Sequence, residues 1–404
     1  MKRKCICILA GLALLISLFI PVPAFAAKPT YTVSPTSKTY KKKLMNYSTY
    51  NRYTKHYYLL RTYLEQLEKS GGGTLVLKKG TYTISNTLFV PSNVTIKLLN
   101  GATIVKGNKT GTSRFKASSS IFQLIRPSKA MKKGVYGSYK GERNISFIGQ
   151  GRAIMDLKYA PDNIAIIAGH NKNIRIEGIR FQNMKSGHFI EMDATDTAKI
   201  RTNQFTGSKP STKQNKEAIN LDTPDRATRG WSQKWSKFDR TPNKKVTIEN
   251  NSFYNLDRAI GTHKYSEAKY HDQIIIRNNK IDKMRQDAIR VMNWSNTIIE
   301  NNLIKNIEAG PNHDRRAILA SGTINPMFLN NMIENTPRPI QFIPWKNSGP
   351  GEGYKVIYNK LSQANKSALK TNTITRYKER FVRINRSYNK FDQATTEKIN
   401  IRIK

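Results

Sequence analysis

Glu191, Asp193 and Asp222 are three carboxylates in a chain with only 27 acidic residues against 69 Lys and Arg. Their spacing becomes meaningful when short apolar segments are aligned on Ile164, Ile190, Ile219, Ile260, Ile289, Ile318 and Ile340. One position later the aligned residues read Ala165, Glu191, Asn220, Gly261, Arg290, Leu319 and Gln341. Three positions later they include Asp193, Asp222, His263, Met292 and Ser321. If the aligned Ile residues point inward, these two columns point outward, because strand side chains alternate and equivalent residues stack about 4.8 Å apart. Three acids then occupy two neighbouring repeats, with His263, Lys264 and Arg290 on the next two. Such a set can take a proton, give one, neutralise a substrate carboxylate, or hold a hard cation such as Ca²⁺ on Glu191, Asp193 and Asp222.

What must position these residues is a repeat. Val246–Phe253, Ile274–Ile281, Ile298–Ile304 and Phe328–Ile333 share one pattern of alternating apolar residues closed by Asn-Asn. Weaker copies begin at Ile200 and Val356. The second Asn falls at 203, 251, 279, 302, 331 and 359, in steps of 48, 28, 23, 29 and 28. Short Ile/Val strands, each ended by an Asn that tolerates left-handed geometry and bonds its neighbour above, predict an all-β parallel solenoid, a right-handed single-stranded parallel β-helix. Leu60, Tyr63, Leu64 and Leu67 lie at helical spacing and end at Gly71-Gly72-Gly73, so a helix near Tyr57–Leu67 should cap the open N-terminal end.

The run from Leu64 through Gly71-Gly72-Gly73-Thr74-Leu75-Val76-Leu77 to Gly101-Ala102-Thr103-Ile104 resembles the opening module of the pectate-lyase-like superfamily of β-helix proteins. That resemblance covers roughly residues 57–361 and implies fold more than chemistry. Its members include polysaccharide lyases, with or without calcium, and polygalacturonase-like hydrolases. Asn220-Leu221-Asp222, Gly261-Thr262-His263 and Arg290 partly resemble the Asn-Thr-Asp, Gly-His-Gly and Arg-Ile-Lys series of the latter. The paired Asp-Asp of those hydrolases and the Lys after their Arg have no counterpart, and no Arg-rich pectate-lyase signature maps onto the chain.

Residues 1–26 read as a secretory signal peptide: Lys2-Arg3-Lys4, an apolar stretch to Ile20, then Ala24-Phe25-Ala26. Residues 27–56 form an N-terminal extension, 57–361 the β-helix, and 362–404 a basic C-terminal extension expected to pack on its end. Both cysteines, Cys5 and Cys7, fall in the leader, which excludes disulfides, thiol nucleophiles and Cys-ligated zinc downstream. A formal charge of +42 spread along the sequence favours anionic partners: an acidic polysaccharide, or a cell-wall polymer that retains the protein outside the cell. No dedicated nucleic-acid arm and no later membrane span are expected, and the protein should be a monomer.

The reading that follows is a secreted enzyme cleaving a uronate-containing polysaccharide by β-elimination, with His263 or Lys264 as base and Arg290 as neutraliser or proton donor. A hydrolase is the alternative, since strand geometry sets Glu191 and Asp222 roughly 8 Å apart, within the inverting range of about 6.5–9.5 Å. Further alternatives are a non-catalytic wall- or capsule-binding β-helix and a C5-epimerase. Substrate contacts are expected from Asn220, from Arg226, Arg229, Trp231 and Trp235 on the lengthened turn after Asp222, from Tyr265, Lys269 and His271 one coil on, and from Trp294, Arg315 and Arg316 beyond.

Overall fold

The computed structural model describes residues 27–210, 216–347, 349, 353–391 and 395–404. The expected signal peptide, 1–26, lies outside them. Among the described residues no helix is long and apolar enough to cross a membrane.

The Ile/Val runs form short strands that pair in parallel with the coil before and the coil after. Together they build a right-handed parallel β-helix. A 20-stranded sheet carries two faces of the coil, because the 14-residue strands Arg143–Asp156 and Lys172–Lys185 bend through both. The third face is an 11-stranded sheet holding, in order, Ile164–Gly169, Ile190–Asp193, Glu217–Asp222, Arg258–Gly261, Ile289–Met292, Arg316–Ser321 and Arg338–Phe342. Ile190, Ile219, Ile260, Ile289, Ile318 and Ile340 stack inside it with no exposure, and Phe181, Phe205 and Phe253 stack across the interior at 4.8–5.0 Å.

The two asparagines of each repeat divide the work at the corner. The first, Asn250, Asn278, Asn301 and Asn330, adopts φ of 53–56°, a conformation Asn accepts at low cost. The second builds a buried ladder. Asn279 Nδ2 donates to Ile248 O at 2.9 Å and to Asn302 Oδ1 at 3.0 Å, while its own Oδ1 accepts from Asn251. The ladder runs from Asn203 through Asn251, Asn279, Asn302 and Asn331 to Asn372. Its last rung is thus Asn372 and not Asn359, which instead accepts from Thr323 on a looping excursion.

Helix Lys55–Lys69 buries Leu59, Leu60, Leu64 and Leu67 in the same core and closes the N-terminal end. Gly72 and Gly73 follow it at φ 125° and 141°, where an added Cβ would meet Asn93 O at 2.4 Å and Pro29 O at 2.3 Å. The sheets run past both limits expected from the sequence. Thr30–Val33 pairs with Gly73–Leu77, Thr373–Tyr377 with Met332–Thr336, and Phe381–Asn385 with Arg338–Phe342. Antiparallel Thr395–Asn400 then lies against Phe381–Asn385 at the C-terminal end.

Candidate functional site

The 11-stranded sheet sets Glu191 beside Asn220 and Asp193 beside Asp222, with Gly261 beside Arg290 and Met292 beside Ser321 further along. The alignment on Ile holds from Ile190 onward. At the first coil it is out by two residues: Ile166, not Ile164, pairs with Ile190, so Ile167 and not Ala165 neighbours Glu191.

These outward residues are not solvated. Glu191 is 4% exposed, Asp222 1% and Asp193 0%. The turn after Asp222 folds back over the sheet, bringing Thr228, Arg229 and Gly230 above the acids. Between that turn and the sheet lies a small polar cleft of about 170 Å³, lined by His188, Lys216, Asn220, Asp222, His263 and Lys264 together with those turn residues.

Each acid is held differently. Asn220 Nδ2 donates to both Glu191 oxygens at 3.0 and 3.2 Å, and His188 Nε2 lies 3.4 Å from Glu191 Oε2. His188 Nδ1 lies 2.6 Å from the Glu217 carbonyl oxygen, which only accepts, so Nδ1 carries the imidazole proton and Nε2 is free to accept one. Burial pushes His188 down to about 3, and burial with the Asp222 charge pushes Glu191 up to about 8. At neutral pH the proton of this pair sits on the carboxyl. The Asp193 carboxyl is buried against that of Glu191, and burial with the charges of Glu191 and Asp222 raises its pKa well above the usual value. Asp222 Oδ1 accepts from the backbone of His263 at 2.8 Å and of Lys264 at 3.2 Å; burial still raises its pKa.

The placement gives the expected calcium role of Glu191, Asp193 and Asp222 no support. Glu191 and Asp222 spend oxygens on Asn220 and on backbone N–H groups. Among the described residues no group of three or more His, Cys, Asp or Glu is arranged to hold a metal ion.

Cations rim the cleft. Burial lowers the Lys264 pKa, with Arg290 and Lys216 adding to the shift and Asp222 opposing it. Arg290 lies behind, its guanidinium over the Trp345 ring at 5.4 Å and pushed down to about 10 by burial and Arg258.

Several expected substrate contacts belong to the protein's interior. Trp231 and Trp235 pack edge to face at 5.4 Å over Gly169 and Ile167, and Trp235 Nε1 donates to Gln123. Trp294 is fully buried and donates to Thr262 Oγ1. Tyr265 is buried against Met292 and Ile357, with its hydroxyl on Lys355 O. His271 is buried with Nδ1 accepting from Asn243 N, and its pKa falls to about 3. Arg316 is 3% exposed and pairs with Asp287 at 2.8 Å. Indole and imidazole groups cover more apolar area when folded onto a sheet than when left in water, and here they close the turns. Arg226 is exposed but lies over Phe238 at 4.6 Å; Lys269 is exposed outside the cleft; Arg315 is half-buried against Gly310. Asn220 lines the cleft, though buried on Glu191, and Arg229 stands exposed at its mouth.

Sequence reasoning missed a third outward column: His188, Glu217, Arg258, Asp287, Arg316 and Arg338. Glu217 Oε1 meets Arg258 at 3.3 Å, Arg258 meets Asp287 at 3.6 Å, and Asp287 meets Arg316. Glu217 Oε2 faces His263 Nδ1 at 3.7 Å, and the charges of His263 and Arg258 overcome burial to hold Glu217 well below its usual pKa. The column was concealed because Ala218 and Ile219, like their equivalents, both face the core at the corner, so strict alternation from Ile assigns Glu217 to the inside. The alternation of Glu217, Arg258, Asp287 and Arg316, each two residues before its Ile, was the available signal.

The fold class is that of a parallel β-helix, here with a polar, cation-rimmed cleft on one face. No known family pattern matches the chain. Plasmin and fibronectin-binding protein A of Streptococcus pneumoniae is 23% identical over 256 residues, 57% of this chain and 34% of that protein, so the chain spans about a third of its length. The solved structure of the Streptococcus pneumoniae surface protein and adhesin PfbA superposes with a TM-score of 0.52 at 18% identity, over 82% of this chain and 80% of that one. The mannuronan C-5 epimerase AlgE6 A-module of Azotobacter vinelandii gives a TM-score of 0.49 at 12% identity, over 86% of this chain and 93% of that one. The likeness to PfbA is one of fold.

Proposed function

We propose that this protein acts outside the cell on an anionic, uronate-containing polysaccharide, cleaving it by β-elimination in the cleft above Asp222. The supporting observation is the convergence of Lys216, Arg229, His263 and Lys264 on a cleft floored by Asn220 and Asp222. A uronate carboxylate would be repelled by three ionised acids. It is better accepted by a floor whose buried carboxyls have raised pKa values and by a rim of cations.

In this reading Lys216 and Arg229 pair with the sugar carboxylate and Arg290 adds positive potential from behind. Lys264, its ammonium weakened by burial, takes the C5 proton in its neutral form. The C5–H electron pair becomes the C4–C5 double bond, the C4–O bond breaks, and His263 gives the departing glycosidic oxygen a proton. The test is incubation with uronate polymers, following new ultraviolet absorbance and reducing ends together. Both signals should rise, and Lys264→Ala should abolish them without unfolding the protein. Reducing ends without absorbance would replace elimination by hydrolysis.

A second reading, non-catalytic attachment to a surface polymer or host protein, is favoured by the inward packing of Trp231, Trp235 and Trp294 and by the smallness of the cleft. The naming of PfbA as an adhesin and as plasmin- and fibronectin-binding points the same way. Tight polymer binding with neither product signal would support it.

A further inference from the structure

Two insertions leave the 11-stranded sheet three coils apart, one spanning residues 124–142 after Gln123 and one spanning 223–243 after Asp222. The intervening coils turn tightly at Gly169–Asn171 and Ala194–Thr195, so the insertions reach across them and meet. Gly134 N donates to Lys234 O at 3.0 Å, Lys237 N to Tyr136 O at 2.8 Å, and the Tyr139 hydroxyl to Pro242 O at 2.9 Å. His170 Nε2 bonds Ser236 Oγ at 2.7 Å beneath them, and Ile125, Ala130, Tyr136, Trp231 and Trp235 form their own small core. The result is one ordered platform about 14 Å long along the coil axis, ending at Arg229 on the lip of the cleft.

Its charge is one-sided. Lys132, Lys133, Lys140, Arg229, Lys234 and Lys237 are all exposed, and no carboxylate among the described residues lies within ion-pair distance of any of them. The platform's three acids are engaged elsewhere: Glu142 with Arg126 and Ser92, Asp225 with Ser266 and Tyr354, and Asp239 with the backbone of Ser138 and Thr241. On the 20-stranded sheet, by contrast, Arg201 pairs with Glu177, Arg277 with Glu249, Lys305 with Asp282, and Lys172 and Lys244 with Asp196.

We infer that the joined insertions are a docking platform for a linear anionic polysaccharide, which lies across Lys132, Lys133, Lys234 and Lys237 and leads toward the cleft at Arg229. The polymer's class rests on the proposed function, but the platform's existence does not. A chain with a negative charge on every residue meets successive cations across the coils and releases counterions as it binds. A short oligomer engages the cleft alone.

The experiment compares wild type with two quadruple variants. One is K132E/K133E/K234E/K237E. The other reverses four charges on the 20-stranded sheet, K97E/R180E/K199E/K280E, so that net charge falls equally. Affinity for long polygalacturonate is measured against salt from about 50 mM upward, and affinity for trigalacturonate is measured alongside. The platform variant should lose at least about 10-fold in polymer affinity and flatten the salt slope by about four, one per lysine removed, and it should keep trigalacturonate affinity within twofold. The sheet variant should lose much less. Equal losses in both variants would assign retention to net charge and overturn the inference, as would a wild type that polygalacturonate does not retain. If the wild type held the polymer through the platform but neither bound trigalacturonate nor cleaved anything, the cleft reading would fail while the platform stood.

Discussion

The carboxyls beneath the cleft make the protein's stability fall as pH rises through neutrality, and Glu191→Gln should remove a large part of that fall. An unfolded Glu titrates near 4.5, whereas folded Glu191 is raised to about 8 by burial and by Asp222. Between those values the folded state holds a proton that the unfolded state has released, so stability declines with rising pH. Its contribution is fully present below about 4.5 and gone above about 8. The whole interval corresponds to about 5 kcal/mol, and sharing of the proton with Asp193 and Asp222 brings the part assignable to Glu191 to about 2–5 kcal/mol. Gln keeps the shape and can still accept from Asn220 Nδ2, but does not ionise. His188, neutral when folded but protonated in the unfolded chain below about 6.5, adds an opposite slope at the acid end of the window, and because both proteins share it, it cancels in their difference. Denaturant midpoints at pH 5 and pH 8.5 provide the assay: the two proteins should be similar at pH 5, and the variant should be more stable at pH 8.5. Parallel pH profiles would show that Glu191 is ionised in the native protein and would refute the proton-holding floor.

Asn279→Ala removes one rung of the buried ladder and leaves Asn251 and Ile248 O without their partners, so it should cost about 1–3 kcal/mol in equilibrium unfolding. An unchanged midpoint would mean that water replaces the rung. Trp235→Ala should destabilise the platform by about 3–5 kcal/mol, through the cavity left against Trp231 and Tyr136 and the loss of the bond to Gln123. Hydrogen exchange confined to residues 124–142 and 223–243 would register it, whereas a loss of polymer affinity with unaltered exchange would return Trp235 to the role of sugar platform.

The repeat, its parallel sheets and the stacking of the Ile column were legible in the sequence because a solenoid writes its geometry locally: each coil contacts the next at a fixed period, so periodicity is contact. Glu191, Asp193, Asp222 and Arg290 could be placed on neighbouring strands for the same reason, with His263 two residues past the end of Arg258–Gly261. Where a coil departs from the period, the sequence misleads. Ile164 stood in for Ile166, Asn359 for Asn372, and Glu217 was hidden by a corner where two successive residues face inward. Most of what the long turns do was decided by tertiary structure alone. Whether Trp231 and Trp235 meet solvent or Gly169, whether the acids are ionised, and which lysines share a surface all depend on how 223–243 folds back across two coils onto 124–142. Burial is a property of what lies above a residue, and pKa follows burial. The amino-acid pattern therefore determined which side chains line up along the helix, and only the folded turns determined that those acids are buried beneath a basic roof.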